Sequence, residues 1–214
     1  MLVAGCSSSG GSSGSGGSSN ANGAITIDDV QPQNPLIPSN TNEDGGHRVV
    51  EAVFSHLVNF NVDTAKPEMN TAESITTTDA KNYDIKLKPG WNFQDGTPAD
   101  AQSYVDAWNW AAYAPNGALN SSFFAPIAGY DAVSPSAPKG SPKGTKPPAP
   151  TAKTMSGLKV VSPTEFTVEL SDPYSPFESE LGYYGFDPLP KAFFADPVKF
   201  GRNPIGNGPF KFVE

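Results

Sequence analysis

The chain has 214 residues, 37% hydrophobic and 17% charged, enough for one large domain or two small ones. Its 22 acidic and 14 basic residues leave a net charge of −8, without the basic footprint a nucleic-acid binder needs to neutralise phosphates. The single cysteine excludes an intrachain disulfide, and no apolar run approaches the roughly 18–20 residues that span a bilayer. With 21 glycines and 22 prolines, the composition suits a loop-rich α/β or β-rich extracytoplasmic protein better than a helical bundle.

The chain opens on Val3-Ala4-Gly5-Cys6, which resembles a bacterial lipobox, whose cysteine becomes diacylated. Residues 7–23 are almost entirely Ser and Gly, the composition of a flexible, solvated tether. Residues 1–5 therefore read as the remnant of a lipoprotein signal peptide, and 6–23 as a tether behind a lipidated Cys6. Only five residues precede Cys6, too few for a basic n-region and an apolar h-region.

Ala24-Ile25-Thr26-Ile27 predicts a short strand, ended by a proline-rich stretch to Pro38. Gly45-Gly46 opens a helical pattern in which Val49 or Val50, Val53, Phe54 and Leu57 recur at spacings of three and four. A polar connection leads to Tyr83-Asp84-Ile85-Lys86-Leu87-Lys88, whose strict alternation predicts a half-buried strand. Asp95-Gly96 makes a turn, after which Thr97 is placed to N-cap a helix with Pro98 at N1 and Asp100 at N3. Ala101, Val105, Trp108 and Ala112 form the buried stripe of that helix, which should end near Tyr113 before Ala114-Pro115.

Residues 134–153 hold six prolines and four lysines and should form a solvated, poorly ordered surface loop. Leu158–Val161 and Glu165–Leu170 then predict a hairpin, and Ser175-Pro176-Phe177-Glu178 a short capped helix to about Leu181. The tail from Asn203 to Phe210 reads as a turn feeding a final strand.

Residues able to carry chemistry are sparse. A G-x-S-x-G match at Gly10 to Gly14 lies inside the Ser/Gly tether, not between a strand and a helix as a nucleophile elbow requires. His47 and His56, on one predicted helix, would stand about 13 Å apart, too far to share a metal. No cysteine cluster, P-loop or dinucleotide-binding pattern is present, so no cofactor, metal site or catalytic residue is expected. Trp91, Trp108 and Trp110 could line a sugar or peptide cleft, although Trp108 lies on the buried stripe and Trp110 is open between core and cleft.

Three segments together carry a family resemblance. Leu87-Lys88-Pro89-Gly90-Trp91-Asn92-Phe93-Gln94-Asp95-Gly96-Thr97-Pro98 resembles the strand-to-helix signature of the peptide/nickel family (family 5) of extracytoplasmic solute-binding proteins. Glu51-Ala52-Val53-Phe54-Ser55-His56-Leu57-Val58 is similar to a helix of that family, and Pro204-Ile205-Gly206-Asn207-Gly208-Pro209-Phe210-Lys211 to a later turn. Asn207 stands where the family usually has Thr, and Gln31 where many members carry Glu. The Pro/Lys-rich loop at 134–153 resembles nothing in the family pattern and reads as an insertion.

The resemblance implies an α/β, periplasmic-binding-protein-like fold of the type II clamshell kind, whose two lobes close on ligand. Family members are more than twice as long, so residues 24–214 would be an incomplete first lobe, unable by itself to enclose a ligand. The implied function is the substrate-binding component of an ABC importer. It would bind di- or oligopeptides and deliver them to permease subunits, from the outer face of the cytoplasmic membrane or the periplasm. Peptide in such members lies extended, bonded through its backbone like an added strand. By motif position the contacts here would come from Gln31, Pro32, Gln33 and Asn34, and from Asn120, Phe123 and Phe124. Either segment could instead be an ordinary connector. The competing readings are an exported lipoprotein hydrolase or carbohydrate-active domain, which needs a catalytic constellation, and an adhesive surface module.

Overall fold

The computed structural model describes residues 28–213. Cys6, the Ser/Gly tether and the expected strand at Ala24 to Ile27 lie outside them. In chain order the elements are helix α1 (Asp44–Val53), strands β1 (Val58–Phe60), β2 (Pro67–Met69), β3 (Ala72–Thr76) and β4 (Asn82–Leu87), helices α2 (Ala101–Ala112) and α3 (Tyr130–Val133), strands β5 (Leu158–Ser162) and β6 (Glu165–Glu169), and helices α4 (Phe177–Glu180), α5 (Lys191–Ala195) and α6 (Pro197–Phe200).

The alternation that predicts β4 sorts its side chains. Tyr83, Ile85 and Leu87 are buried, and opposite them on β6 so are Phe166 and Val168, in the register Tyr83↔Val168 and Ile85↔Phe166. The sheet is antiparallel in the order β3-β4-β6-β5, and the expected hairpin is β5–β6. Strands β1 to β3 fall where the sequence reads as a polar connection. Their residues are mostly exposed, so no period-2 apolar signal marks them.

Helix α2 packs on the sheet. The predicted stripe Ala101, Val105, Trp108 and Ala112 is buried, but nine of the helix's twelve residues are, because Met155, the 121–124 turn and residues 186–193 also pack on it. Trp108 is the hub: its ring meets Phe166, Phe186 and Phe124 at 5.5, 5.2 and 6.1 Å, and its indole N–H donates to Phe186 O at 2.8 Å. Trp110 is half-buried, edge-on to Phe193 at 4.8 Å.

Four local expectations are corrected. The cap of helix α2 falls three residues later than expected: Asp100, not Thr97, caps it by accepting from Ser103 N at 2.9 Å. The Thr97 hydroxyl is taken by Asp95 at 2.6 Å, and Phe93 N donates to Thr97 O, which holds 93–97 as a tight turn around Gly96 at φ +84°. Pro98 is extended, bridged to Asn92, so the helix cannot start until the chain leaves that pairing. Helix α4 forms as predicted but without a side-chain cap from Ser175. Residues 211–213 form no strand; Phe210 N instead donates to Ala52 O, at the end of α1. The Pro/Lys-rich loop is solvent-exposed as expected, yet it contains two hydrogen-bonded turns that its composition does not foretell.

The three segments that carry the family resemblance meet in one knot at the C-terminal end of α1. Gly208 N donates to Val53 O at 2.8 Å, and the Asn207 side chain bonds both Ser55 N and Ser55 O, at 3.0 and 3.1 Å. Gln94 completes the knot: its carboxamide oxygen accepts from Gly206 N at 3.0 Å and its nitrogen donates to Val53 O and Gly208 O. A Cβ on Gly206 or Gly208 would run into the Val53 carbonyl, so glycine here permits close backbone approach. This knot also ends α1 at Val53, earlier than the apolar spacing through Phe54 and Leu57 predicts, because the tail takes the carbonyls a continuing helix would use.

Candidate functional site

The other end of α1 builds the candidate site. Glu43 is its cap, accepting from Gly46 N at 3.0 Å through one oxygen. The second oxygen accepts from Gln33 N and Asn34 N at 3.2 and 3.4 Å. The Gly46 bond, helped by those of Gln33 and Asn34, holds the carboxyl below its ordinary pKa despite the opposing effect of desolvation. Segment 31–34 is thereby laid against the start of α1, with Gln31 and Gln33 exposed and Pro32 and Asn34 half-buried. Asn34 Nδ2 donates to Asn42 Oδ1 at 3.0 Å.

The second expected segment is fastened to the same place. Asn120 is 3% exposed, and its Nδ2 donates to Pro38 O and Thr41 O at 3.1 and 2.8 Å. Asn40 returns the link by accepting from Leu119 N at 3.1 Å. Phe124 is wholly buried against Trp108 and Phe186. Phe123, next to it, is 39% exposed and starts an aromatic run. It stacks on Tyr183 at 4.5 Å, Tyr183 lies 4.2 Å from Tyr184, and Tyr184 stacks on His47 of α1 at 4.7 Å.

The structure thus fastens both 31–34 and 119–120 to the stretch 38–43 before α1, but does not join them in one cavity. Gln33 and Asn34 border an open hollow of about 460 Å³ with Asn40, Trp110 and Arg202. Phe123 borders another of about 210 Å³ with Ser122 and Glu180. Asn120 and Phe124 present no side chain to either; they hold the loop that carries Phe123.

Beneath the aromatic run lies a polar network that the sequence does not reveal. The two histidines, expected about 13 Å apart on one helix, share a carboxylate instead. Because α1 stops at Val53, the chain folds back and brings His56 Nε2 to Glu51 at 3.0 Å, while His47 Nε2 meets the other Glu51 oxygen at 3.0 Å. His56 Nδ1 lies 2.8 Å from Asp187, with both residues buried. A neutral imidazole has one N–H, and both ring nitrogens here face carboxylates, an arrangement that favours the doubly protonated cation. Burial by itself would lower its pKa; the Asp187 charge, then the bonds to Asp187 and Glu51, outweigh that and hold it up at about 10.

Chemically, the seam offers exposed amides, aromatic faces and polar backbone. The buried histidine is committed on both nitrogens, to Glu51 and Asp187. Among the described residues no group of three or more His, Cys, Asp and Glu could hold a metal, and no helix is long and apolar enough to cross a membrane.

Fold and comparison now agree on a class. The family model "Bacterial extracellular solute-binding proteins, family 5 Middle" matches residues 66–214, and the chain belongs to that family. It is 26% identical over 183 residues to the oligopeptide-binding protein OppA of Bacillus subtilis (strain 168), covering 83% of this chain and 31% of the relative. It is 28% identical over 166 residues to the periplasmic oligopeptide-binding protein OppA of Escherichia coli (strain K12), covering 74% and 27%. The substrate-binding domain of an oligopeptide ABC transporter from Bacillus anthracis superposes with a TM-score of 0.71 at 23% identity, over 87% of this chain and 35% of that one. The architecture is accordingly that of part of a type II periplasmic binding protein. The chain spans about a third of the length of the relatives it matches.

Proposed function

We propose that this chain belongs to the extracytoplasmic substrate-binding component of an ABC importer, which binds oligopeptides and delivers them to a permease without altering them. The observation that carries this reading is the alignment with an oligopeptide-binding relative over 83% of the chain. The seam at the start of α1 supports it. Gln31, Pro32, Gln33 and Asn34 would meet an extended peptide through amides and backbone, the mode of an added strand. Phe123 would meet an apolar peptide side chain, while Asn120 and Phe124 fix its loop. Glu43 pre-orders the segment 31–34, which lowers the entropy lost on binding. Lipidation of Cys6, with residues 7–23 as spacer, would hold the protein at the outer face of the cytoplasmic membrane; a periplasmic protein is the other form.

Calorimetry with a mixed di- and oligopeptide pool, on protein expressed from its whole reading frame, tests the reading. Micromolar or tighter binding is expected, weakened about 10-fold by Phe123→Ala with Gln33→Ala. No peptide binding would overturn the function, and binding unmoved by both substitutions would overturn the site. Labelling with an alkyne fatty acid, compared between the native protein and Cys6→Ser, tests the anchor; equal labelling would dismiss it.

A further inference from the structure

Residues 134–153 carry four lysines and no carboxylate, so of the chain's net −8 this loop contributes +4 and the rest −12. Among the described residues none of the four forms an ion pair, and all are exposed. The loop is also built. Ser134 N donates to Tyr130 O at 2.8 Å, and Thr151 N and Ala152 N both donate to Ala132 O, at 2.8 and 3.0 Å, so both ends close on α3.

Between those ends the sequence repeats, as Pro138-Lys139-Gly140-Ser141 and Pro142-Lys143-Gly144-Thr145. Each unit closes a turn: Ser141 N donates to Pro138 O at 3.0 Å and Thr145 N to Pro142 O at 3.1 Å. Gly140 and Gly144 both sit at φ +88°, the third-residue conformation of a type II turn. Lys139 and Lys143 therefore hold the same place in two successive turns. A solvated loop needs no such repetition, and a solubilising surface mixes both signs of charge.

We propose that this loop docks on anionic phospholipid headgroups. Clusters of four or more lysines bind such surfaces, each strengthening partitioning about fivefold (about 1 kcal/mol). The body of the protein, at −12, is repelled by the same surface, so attraction is confined to the loop and fixes which side faces the bilayer. A soluble polyanion would need a basic track leading away from the loop, and the acidic body offers little. This inference goes beyond peptide binding and does not depend on it.

The test uses protein from the whole reading frame carrying Cys6→Ser, so that no acyl chain contributes. Partitioning onto vesicles of phosphatidylglycerol with phosphatidylcholine is compared with pure phosphatidylcholine, at low and at 0.5 M salt. Binding is expected on the anionic vesicles only and at low salt only, weakened about 30-fold by K139Q with K143Q, the loss of two such contributions. Equal partitioning of that variant, no binding at any salt, or binding of heparin without binding of vesicles would each overturn the proposal.

Discussion

The two ends of α1 are held by opposite strategies. At its C-terminal end the knot is multiply bonded beside an open hollow: Asn207 satisfies both backbone groups of Ser55, glycines press on Val53, and His56 is clamped between Glu51 and Asp187. At its N-terminal end the seam is more exposed, with one carboxylate holding residues 33–34 and the cap through bonds of 3.0 to 3.4 Å, asparagines tying on the 119–120 turn, and glutamines and Phe123 facing solvent. The family motifs fall on the knot, and the proposed ligand contacts on the seam. A motif legible in one sequence marks where the backbone has no freedom; a ligand-facing residue leaves no comparable trace, because nothing in the fold requires it.

Substitutions can break or sharpen that contrast. The largest effect is expected at His56→Ala, which leaves Asp187 buried and unpaired and should cost about 3–5 kcal/mol of stability in denaturant titration. A loss below about 1 kcal/mol would mean the pair is not the clamp described. Asn207→Ala should cost about 2 kcal/mol by stranding Ser55 N–H and C=O in a buried place. Asp100→Ala should cost about 1 kcal/mol as the loss of a helix cap, and Thr97→Ala less, which separates the true cap from the expected one. Gln33→Ala at the seam should stay within about 0.5 kcal/mol, since its bond to Glu43 uses the backbone.

The contrast also has a pH signature. His56 has a folded-state pKa raised from 6.5 to about 10, so it binds a proton more tightly in the folded state. Its contribution is fully present below about pH 6.5 and is lost as pH rises toward 10, by up to about 1.4 kcal/mol per pH unit. Unfolding free energies between pH 6 and 9.5 should fall along that slope, and His56→Gln should flatten it. An unchanged slope in the variant would assign the effect elsewhere.

Much was determined by the amino-acid sequence alone. Alternation at Tyr83 to Leu87 and Phe166 to Leu170 settles which side chains enter the core, because in a strand every second residue points the same way. The Asp95-Gly96 turn and the proline after Ala114 bound α2, since neither φ > 0 nor a missing N–H can be hidden inside a helix. Tertiary structure alone decided the rest. Strands β1 to β3 are short and largely exposed and form by pairing rather than by a sustained pattern. Gln94, Asn207 and Ser55 are ordinary polar residues until the fold brings positions more than a hundred apart into one hydrogen-bonded set. His47 meets Glu51 one turn along α1, but His56 reaches the same carboxylate only because the helix stops at Val53. Local periodicity is a property of neighbours along the chain, whereas the knot, the clamp and the seam depend on which carbonyls a distant segment reaches first.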